Sequence, residues 1–423
     1  MSSIYIKNVR IVDPSQGMNQ ISGIFIENGI ICHIGNEDLK ADTVFDGTGL
    51  IAAPGLVDMH VHLRDPGQTE KEDIISGGKA AAAGGVTSLL CMPNTVPTVD
   101  NEETVKYILE KAKNADTHVY VAAAITKNLQ SRELCDINAL KKAGAIALSD
   151  DGRPVENTKL LSEAMILAKQ LGLTVTAHCE DLFLAQGGII NEGIVSKELN
   201  VQGIPAAAED CGTAREIALA CAYDVPVHIC HVSTKTSVAL IRDAKNRGVN
   251  VTAETAPHYF SLTENELYKR DADFRMNPPL RTEEDRLAII DGLCDGTLDA
   301  IATDHAPHTQ AQKSDFLKSP NGSIGMETSL AVGITNLVVP GFLTIDELIE
   351  KMSCGPAKIL KIQAGTLQIG AVADIVLFSE NEKWTVDENK LHGKSKNTPF
   401  KGLTLIGKVK TTILGGKIVY QDK

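Results

Sequence analysis

Along the first fifty residues apolar positions alternate with polar ones, as in "SIYIKNVRIVD" and "ISGIFIENGIICHIG", with Gly and Asn-Gly between. A period of two interrupted by tight turns predicts short β-strands. The texture returns near the end in "ADIVLFSE" and "LTLIGKVKTTILGGKIVY". Neither piece makes a comfortable two-layered sheet alone, so residues 1–54 and 364–423 are expected to join as one small β-sandwich domain built from both ends. Residues 55–363 have another rhythm. Continuous apolar runs recur in "APGLVDMHV", "GVTSLLCMP", "THVYVAAAIT", "GAIALSD", "GLTVTAH", "VPVHICHV", "NVTAETAP" and "LDAIATD". Between them lie helical segments such as "EDIISGGKAAAAG", "NTKLLSEAMILAKQ", "CGTAREIALACAY" and "KTSVALIRDAKNRG". Buried strands alternating with helices predict a parallel sheet, and eight such units predict a (β/α)₈ barrel.

Reactive groups of such a barrel collect where the strands end. His60 and His62 close the first run in "LVDMHVHLRD", followed by Arg64. Asn94 follows the second run, Asp150 and Asp151 close the fourth, His178 the fifth, His231 the sixth and Asp304 the eighth. Residues distant in sequence are thereby expected to converge on one rim. Four imidazoles and two carboxylates, with no thiolate required, suit zinc, or manganese or cobalt in its place. Six donors are too many for one tetrahedral ion that keeps a position open. Two ions, ~3.5–4 Å apart, fit the count better and supply hydroxide at neutral pH. His60, His62 and Asp304 are assigned to one ion, His178 and His231 to the other, with Asp151 between them. Spacing alone does not separate Asp151 from Asp150.

The remaining histidines read differently. His228 falls three residues before His231 and is taken as structural, as are His33, His118 and His392. His258 in "ETAPHY" is a candidate support, and His305 is expected to orient a ligand rather than to be one. The glycine pairs of "SGGKAAAAGGVTS" read as helix-ending signals rather than a phosphate loop.

Composition narrows the partners. Lys+Arg number 41 against 54 Asp+Glu, a net charge of −13 with no basic cluster, which argues against nucleic acid. No apolar run approaches the ~20 residues of a membrane span, and the start lacks the form of a secretion signal. Nine cysteines without a C-x-x-C pair suggest reduced thiols in a cytoplasm. Cys32, Cys91, Cys179, Cys221 and Cys230 read as small core residues.

The motifs "GLVDMHVHLRDPGQTEKEDI", "MPNTVPTVD", "SDDGRP", "AHCED", "HVSTKTS", "MNPPLR", "TDHAPHT" and "SKNTPF" resemble, in order and over nearly the whole chain, the bacterial type I dihydroorotases of the amidohydrolase superfamily. The resemblance implies a barrel with a small β-domain and the interconversion of N-carbamoyl-L-aspartate and L-dihydroorotate. It puts His60, His62, Asp151, His178, His231 and Asp304 on zinc positions, with two Zn²⁺ and Asp151 bridging. It puts His62, Arg64, Asn94, Asn277 and His308 on substrate positions, and Asn321 and Gly322 on a backbone contact. Many relatives carry an aromatic residue where this chain has Asn321. Hydantoinases and dihydropyrimidinases share the H-x-H but bridge their ions with a carbamylated lysine on the fourth strand. "AGAIALSDDGRP" has no lysine there. Some relatives are inactive scaffold subunits that have lost their ligands; this chain keeps all six, so activity is expected. A homodimer and association with aspartate carbamoyltransferase are further expectations.

The expected chemistry is attack by a zinc-activated hydroxide on the ring amide, with Asp304 as base and then acid. Two ions, Asp151, Asp304, hydroxide and Arg64 leave a formal surplus of about two positive charges, enough to receive a dianion in an acidic protein. The segment "TQAQKSDFLKSPNGS" after the eighth strand is a candidate cover for the ligand.

Overall fold

The computed structural model describes residues 3–37 and 39–422. Each of the eight apolar runs forms a strand: Leu56–Val61, Val86–Cys91, His118–Ala123, Ala147–Leu148, Thr174–Ala177, Val227–Ile229, Val251–Thr255 and Ala300–Ile301. Every strand pairs in parallel with the next in chain order. The seam between the last strand and the first is closed just beyond their ends. The His62 N–H donates to the His305 carbonyl at 2.8 Å, and Val61 bridges His305 in parallel. Lower in the seam, the buried Asp58 carboxylate accepts from Thr303 N–H at 3.0 Å and Thr303 Oγ1 at 2.5 Å. Burial pushes that carboxyl up to about 6, against the pull of Thr303's donors.

Helices return the chain between strands, and local sequence sets their ends. Asp73, Asn101, Asn157 and Thr234 each accept from backbone N–H groups of the first turn they precede, in helices Ile74–Ala83, Glu102–Ala112, Thr158–Leu171 and Lys235–Asn246. Each such cap contributes about 1 kcal/mol. The glycine pairs divide in role. Gly84 and Gly85 follow Ile74–Ala83, as expected of a stop signal. Gly77 and Gly78 instead lie inside that helix, and a Cβ on Gly77 would sit 2.5 Å from Leu63 Cδ2. Close approach of the helix to the segment that carries His62 and Arg64 explains Gly77, whereas Gly78 faces Ala115 and Asp116, each 3.1 Å from an added Cβ.

The two ends of the chain form one sheet. Its order is Lys417–Gln421, Thr404–Leu414, Ile375–Thr385, Ile51–Pro54, Ser3–Asp13, Met18–Glu27 and Ile30–Gly35, with Thr43–Asp46 also paired to Ser3–Asp13. The sheet folds back on itself, since a Cβ on Gly416 would lie 2.5 Å from Gly29 Cα. Ile6, Ile24 and Ile31 from one half therefore share a core with Ile375, Leu377 and Ile413 from the other. Val12, Ile51, Val376 and Val409 join the barrel's own core. Cys91, Cys179 and Cys230 are buried as expected, but Cys32 and Cys221 are exposed. Cys32 alternates outward on the strand Ile30–Gly35, and Cys221 lies on the solvent side of the helix Ala206–Tyr223. An apolar neighbourhood in sequence does not decide which face a residue takes.

Candidate active site

The strand ends bring the six expected donors into one buried cluster. His60 belongs to the first strand, while His62 and Arg64 follow it; Asp151, His178, His231 and Asp304 come just after the fourth, fifth, sixth and eighth. Arg64, His231 and Asp304 have φ of 60°, 37° and 48°. For such side chains this left-handed backbone costs on the order of 1–3 kcal/mol each, a strain found where a site dictates side-chain direction.

Asp151 is the centre of the cluster. Its Oδ1 lies 3.2 Å from His60 Nε2, 3.6 Å from His178 Nδ1 and 3.7 Å from His231 Nε2. Its Oδ2 lies 3.4 Å from His62 Nε2. Asp304 Oδ1 completes the group at 3.1 Å from His62 Nε2 and 3.7 Å from His60 Nε2. Two sets of donors compact enough for a metal ion share Asp151: His60 and His62 on one side, His178 and His231 on the other. His60 Nε2 and Asp151 Oδ1 are buried side by side, yet neither makes a hydrogen bond among the described residues. Buried polar atoms demand a partner, and lone pairs that converge without donating to one another suit a cation.

Asp150 faces elsewhere. Its carboxylate accepts from Ile125 N–H at 2.7 Å and Thr126 N–H at 3.1 Å, so it fastens the end of the third strand. That separates it from Asp151, which spacing alone could not do. His305 accepts from Gly325 N–H on Nδ1, and its backbone carbonyl holds His62. His258 is buried, and burial pushes its imidazole down to about 4; its Nε2 has no hydrogen bond among the described residues.

Three of the four imidazoles have an outer partner that orients the ring. His62 Nδ1 lies 2.8 Å from Asn94 Oδ1, His178 Nε2 3.2 Å from Glu180 Oε2, and His60 Nδ1 3.2 Å from Glu254 Oε1. Such partners fix which nitrogen keeps its lone pair. Burial would raise the Glu254 carboxyl, but His228 and His60 outweigh it and bring it down to about 2. Sequence reasoning missed both glutamates. Glu180 stands two residues after His178 in "AHCED", and Glu254 is the acid inside the otherwise apolar "NVTAETAP". Their two carboxylates stand against the surplus of about two positive charges expected from two ions, Asp151, Asp304, hydroxide and Arg64.

The residues expected to meet substrate lie beside this cluster. Arg64 is buried, donates from Nε to the Pro307 carbonyl at 3.3 Å, and has no carboxylate partner among the described residues. Burial lowers its guanidinium to about 10, against the pull of Asp304 and Asp151. Its Nη2 is 3.4 Å from His308 Nε2. His308 is pushed down to about 2 by burial and by the cations Arg64 and Lys313, so it is neutral and donates from Nε2 to the Asn321 carbonyl at 2.9 Å. Asn94 also donates to Asp151 Oδ2 at 3.3 Å, and Asn277 donates to both Glu180 oxygens, at 3.1 and 3.3 Å. The Gly322 N–H donates to the Arg275 carbonyl, and its own carbonyl accepts from Lys313 and Asn397. Both backbone groups of Gly322 are thus already engaged within the protein.

A parallel eight-stranded barrel whose rim gathers imidazoles and aspartates around a shared carboxylate defines an amidohydrolase, a class that works with a metal cofactor. A family model described as dihydro-orotase-like matches residues 49–237. A dihydroorotase of Geobacter metallireducens is 50% identical over 99% of this chain and 100% of its own. One from Trichlorobacter lovleyi is 47% identical over the whole of both. Among solved structures, an L-hydantoinase from Arthrobacter aurescens superposes with a TM-score of 0.90 over 100% of this chain and 96% of its own, at 24% identity, a likeness of fold. The chain belongs to the dihydroorotase family, and it is a hydrolase of a cyclic amide C–N bond. No helix among the described residues is long and apolar enough to cross a membrane.

Proposed function

We propose that the chain interconverts N-carbamoyl-L-aspartate and L-dihydroorotate with two zinc ions, bridged by Asp151, in a catalytic barrel of residues 55–363 flanked by residues 1–54 and 364–423. The observation that carries this reading is the Asp151 carboxylate, shared between His60 with His62 and His178 with His231. Its position at the end of the fourth strand, where "AGAIALSDDGRP" offers no lysine, favours dihydroorotase over hydantoinase chemistry.

The ions, when bound, supply hydroxide at neutral pH and polarise the carbonyl under attack. The chain's own residues do the rest. Asp304 is held ionised: burial would raise it, but His62 and its neighbours bring it down to about 2. In the hydrolytic direction it accepts a proton from the attacking oxygen and passes it to the departing ring nitrogen. In the biosynthetic direction it takes the proton of the ureido nitrogen before ring closure. Arg64, a buried guanidinium free of carboxylates, suits the substrate carboxylate that does not react, because its planar fork grips both oxygens. Asn94, beside His62, Asn277, beside Glu180, and His308, beside Arg64, are assigned to the same substrate, with the Asn321–Gly322 segment next to His308. Ring closure consumes a proton, so acid favours L-dihydroorotate and alkali the open form.

The chain is proposed to work in the cytoplasm as a homodimer, in association with aspartate carbamoyltransferase; sedimentation with and without the transcarbamoylase tests this. The deciding experiment for the reaction couples metal analysis of the isolated chain to assays of carbamoyl aspartate cyclisation and hydantoin opening. Two zinc ions with cyclisation are expected. Hydantoin opening alone would reassign the substrate, and metal without turnover would leave a scaffold subunit.

A further inference from the structure

Beneath the candidate ion sites lies a carboxylate that the mechanism does not use. Glu254 is buried, with Oε1 3.2 Å from His60 Nδ1 and Oε2 3.2 Å from His228 Nε2. His228 is fully buried on the adjacent strand, in register with Thr252, whose Oγ1 is 2.9 Å from its Nδ1. A continuous line of polar contacts therefore runs from Thr252 through His228, Glu254 and His60 to Asp151. Neither lysine nor arginine forms an ion pair with Glu254 among the described residues. A carboxylate desolvated in a barrel core without compensation is strongly disfavoured, and here two imidazoles flank it. The His228 contact is close but poorly aligned as a hydrogen bond, so His228 holds Glu254 in place by packing against it. The His60 contact is a true hydrogen bond and therefore selects a tautomer. With its Nδ1–H donated to Glu254, His60 keeps the Nε2 lone pair for the face it shares with Asp151. His62 has only the neutral amide oxygen of Asn94 in the equivalent place. A charged acceptor makes His60 the more electron-rich imidazole of the H-x-H pair.

We propose that Glu254, held in place by His228, is a positioning residue that orients His60 and sets the affinity of the ion on the His60–His62 side. Neither residue belongs to the six donors or to the substrate wall. The inference rests on the reading that those donors hold ions, and the test separates the two. Zinc and cobalt are titrated into the metal-depleted full chain in competition with a chelator, for the unaltered protein and for Glu254→Gln, His228→Asn and the double variant. Cobalt absorption and thermal unfolding are recorded in parallel.

Two ions are expected in the unaltered chain. Glu254→Gln, which keeps the volume of the side chain, weakens one of them by about 10–100-fold and shifts its cobalt spectrum, leaving the other unchanged. His228→Asn weakens the same ion less, and the double variant is no worse than Glu254→Gln, because His228 acts through Glu254. Unchanged affinities in both single variants, with only a lower unfolding temperature, would reduce Glu254 to a packing residue and overturn the proposal. Three ions falling to two in Glu254→Gln would also overturn it, making Glu254 a direct ligand beside His60 and Cys230, which are grouped closely enough with it for that. An unaltered chain that takes up no ion would overturn the metal reading itself. Should Glu254→Gln fail to fold, His228→Asn carries the same comparison.

Discussion

Asp304 has three demands placed on it at once: it neighbours the H-x-H imidazoles, the proposed mechanism has it exchange a proton, and its φ of 48° is in the left-handed region. An amide keeps the first of these and removes the second. Asp304→Asn is therefore expected to retain bound metal while kcat falls by about 10²–10⁴; metal content and steady-state turnover of one preparation check it, and near-normal kcat would remove Asp304 from the proton path. The convergence of the six expected donors was legible in the sequence because a barrel gathers reactive groups at strand ends, and strand ends are visible as the close of apolar runs. Glu254 was not. An acid within such a run looks the same whether it faces water or an imidazole on a strand six positions earlier, and only the closed barrel brings His60 to its side. Asp150 and Asp151 pose the related problem of adjacent residues on opposite faces, which a two-residue strand, Ala147–Leu148, is too short to phase.

At the level of elements, the loop after the eighth strand is firmly tied. Arg275 donates to the Phe316 carbonyl and to Ser319 Oγ, and Lys313 reaches the carbonyls of Arg275, Pro320 and Gly322 at 3.3, 3.1 and 2.9 Å. Those bonds leave the segment expected as a cover pinned at its far end. Gly322 is the tightest point: φ is 133°, and an added Cβ would lie 2.7 Å from Ala306 Cβ and 3.1 Å from His308 Nε2. Gly322→Ala should cost about 1–3 kcal/mol of stability and raise KM, since His308 must move. Denaturant unfolding and substrate titration check it, and an unchanged KM would detach this loop from the substrate wall. All eight barrel strands were readable because each is a continuous apolar run. The excursion after the fifth strand was not, since Ile190–Asn191 and Gly203–Ile204 pair over two residues each, too few to show a period. The helix Ala206–Tyr223 likewise starts before the segment whose composition announces it, its first turn being a plain run of alanines after Pro205.

For the whole molecule, the association of the chain's two ends followed from shared texture, but its seam with the barrel did not. His118, which opens the third strand, meets Asp374 at 3.1 Å, and Asp374 also accepts from Gly415 N–H, joining barrel to sheet. The hydrogen bond that His118 donates to Asp374 raises its imidazole above the ordinary value, against partial burial. A raised histidine stabilises the fold fully below its unfolded value of about 6.5, and that contribution disappears as pH climbs through the folded one. The ring is 43% exposed, so the effect should stay below about 1 kcal/mol. The stability gap between the unaltered chain and His118→Gln, measured by thermal unfolding, is expected to be widest near pH 6 and to close in mild alkali. A gap independent of pH would mean that the pair is not ionic.

The stitching of the first strand to the last has a consequence for assembly of the enzyme. Asp58 and Thr303, with His62 and His305, fasten together the two segments that also carry the H-x-H pair and Asp304, and these are separated by over half the polypeptide. Completing the cylinder therefore brings His60, His62 and Asp304 together, and those three side chains meet only when the cylinder is complete. On the proposed ligand assignment, a divalent ion held by His60, His62 and Asp304 would act as a clasp across the join, tying uptake of the cofactor to the final locking of the architecture.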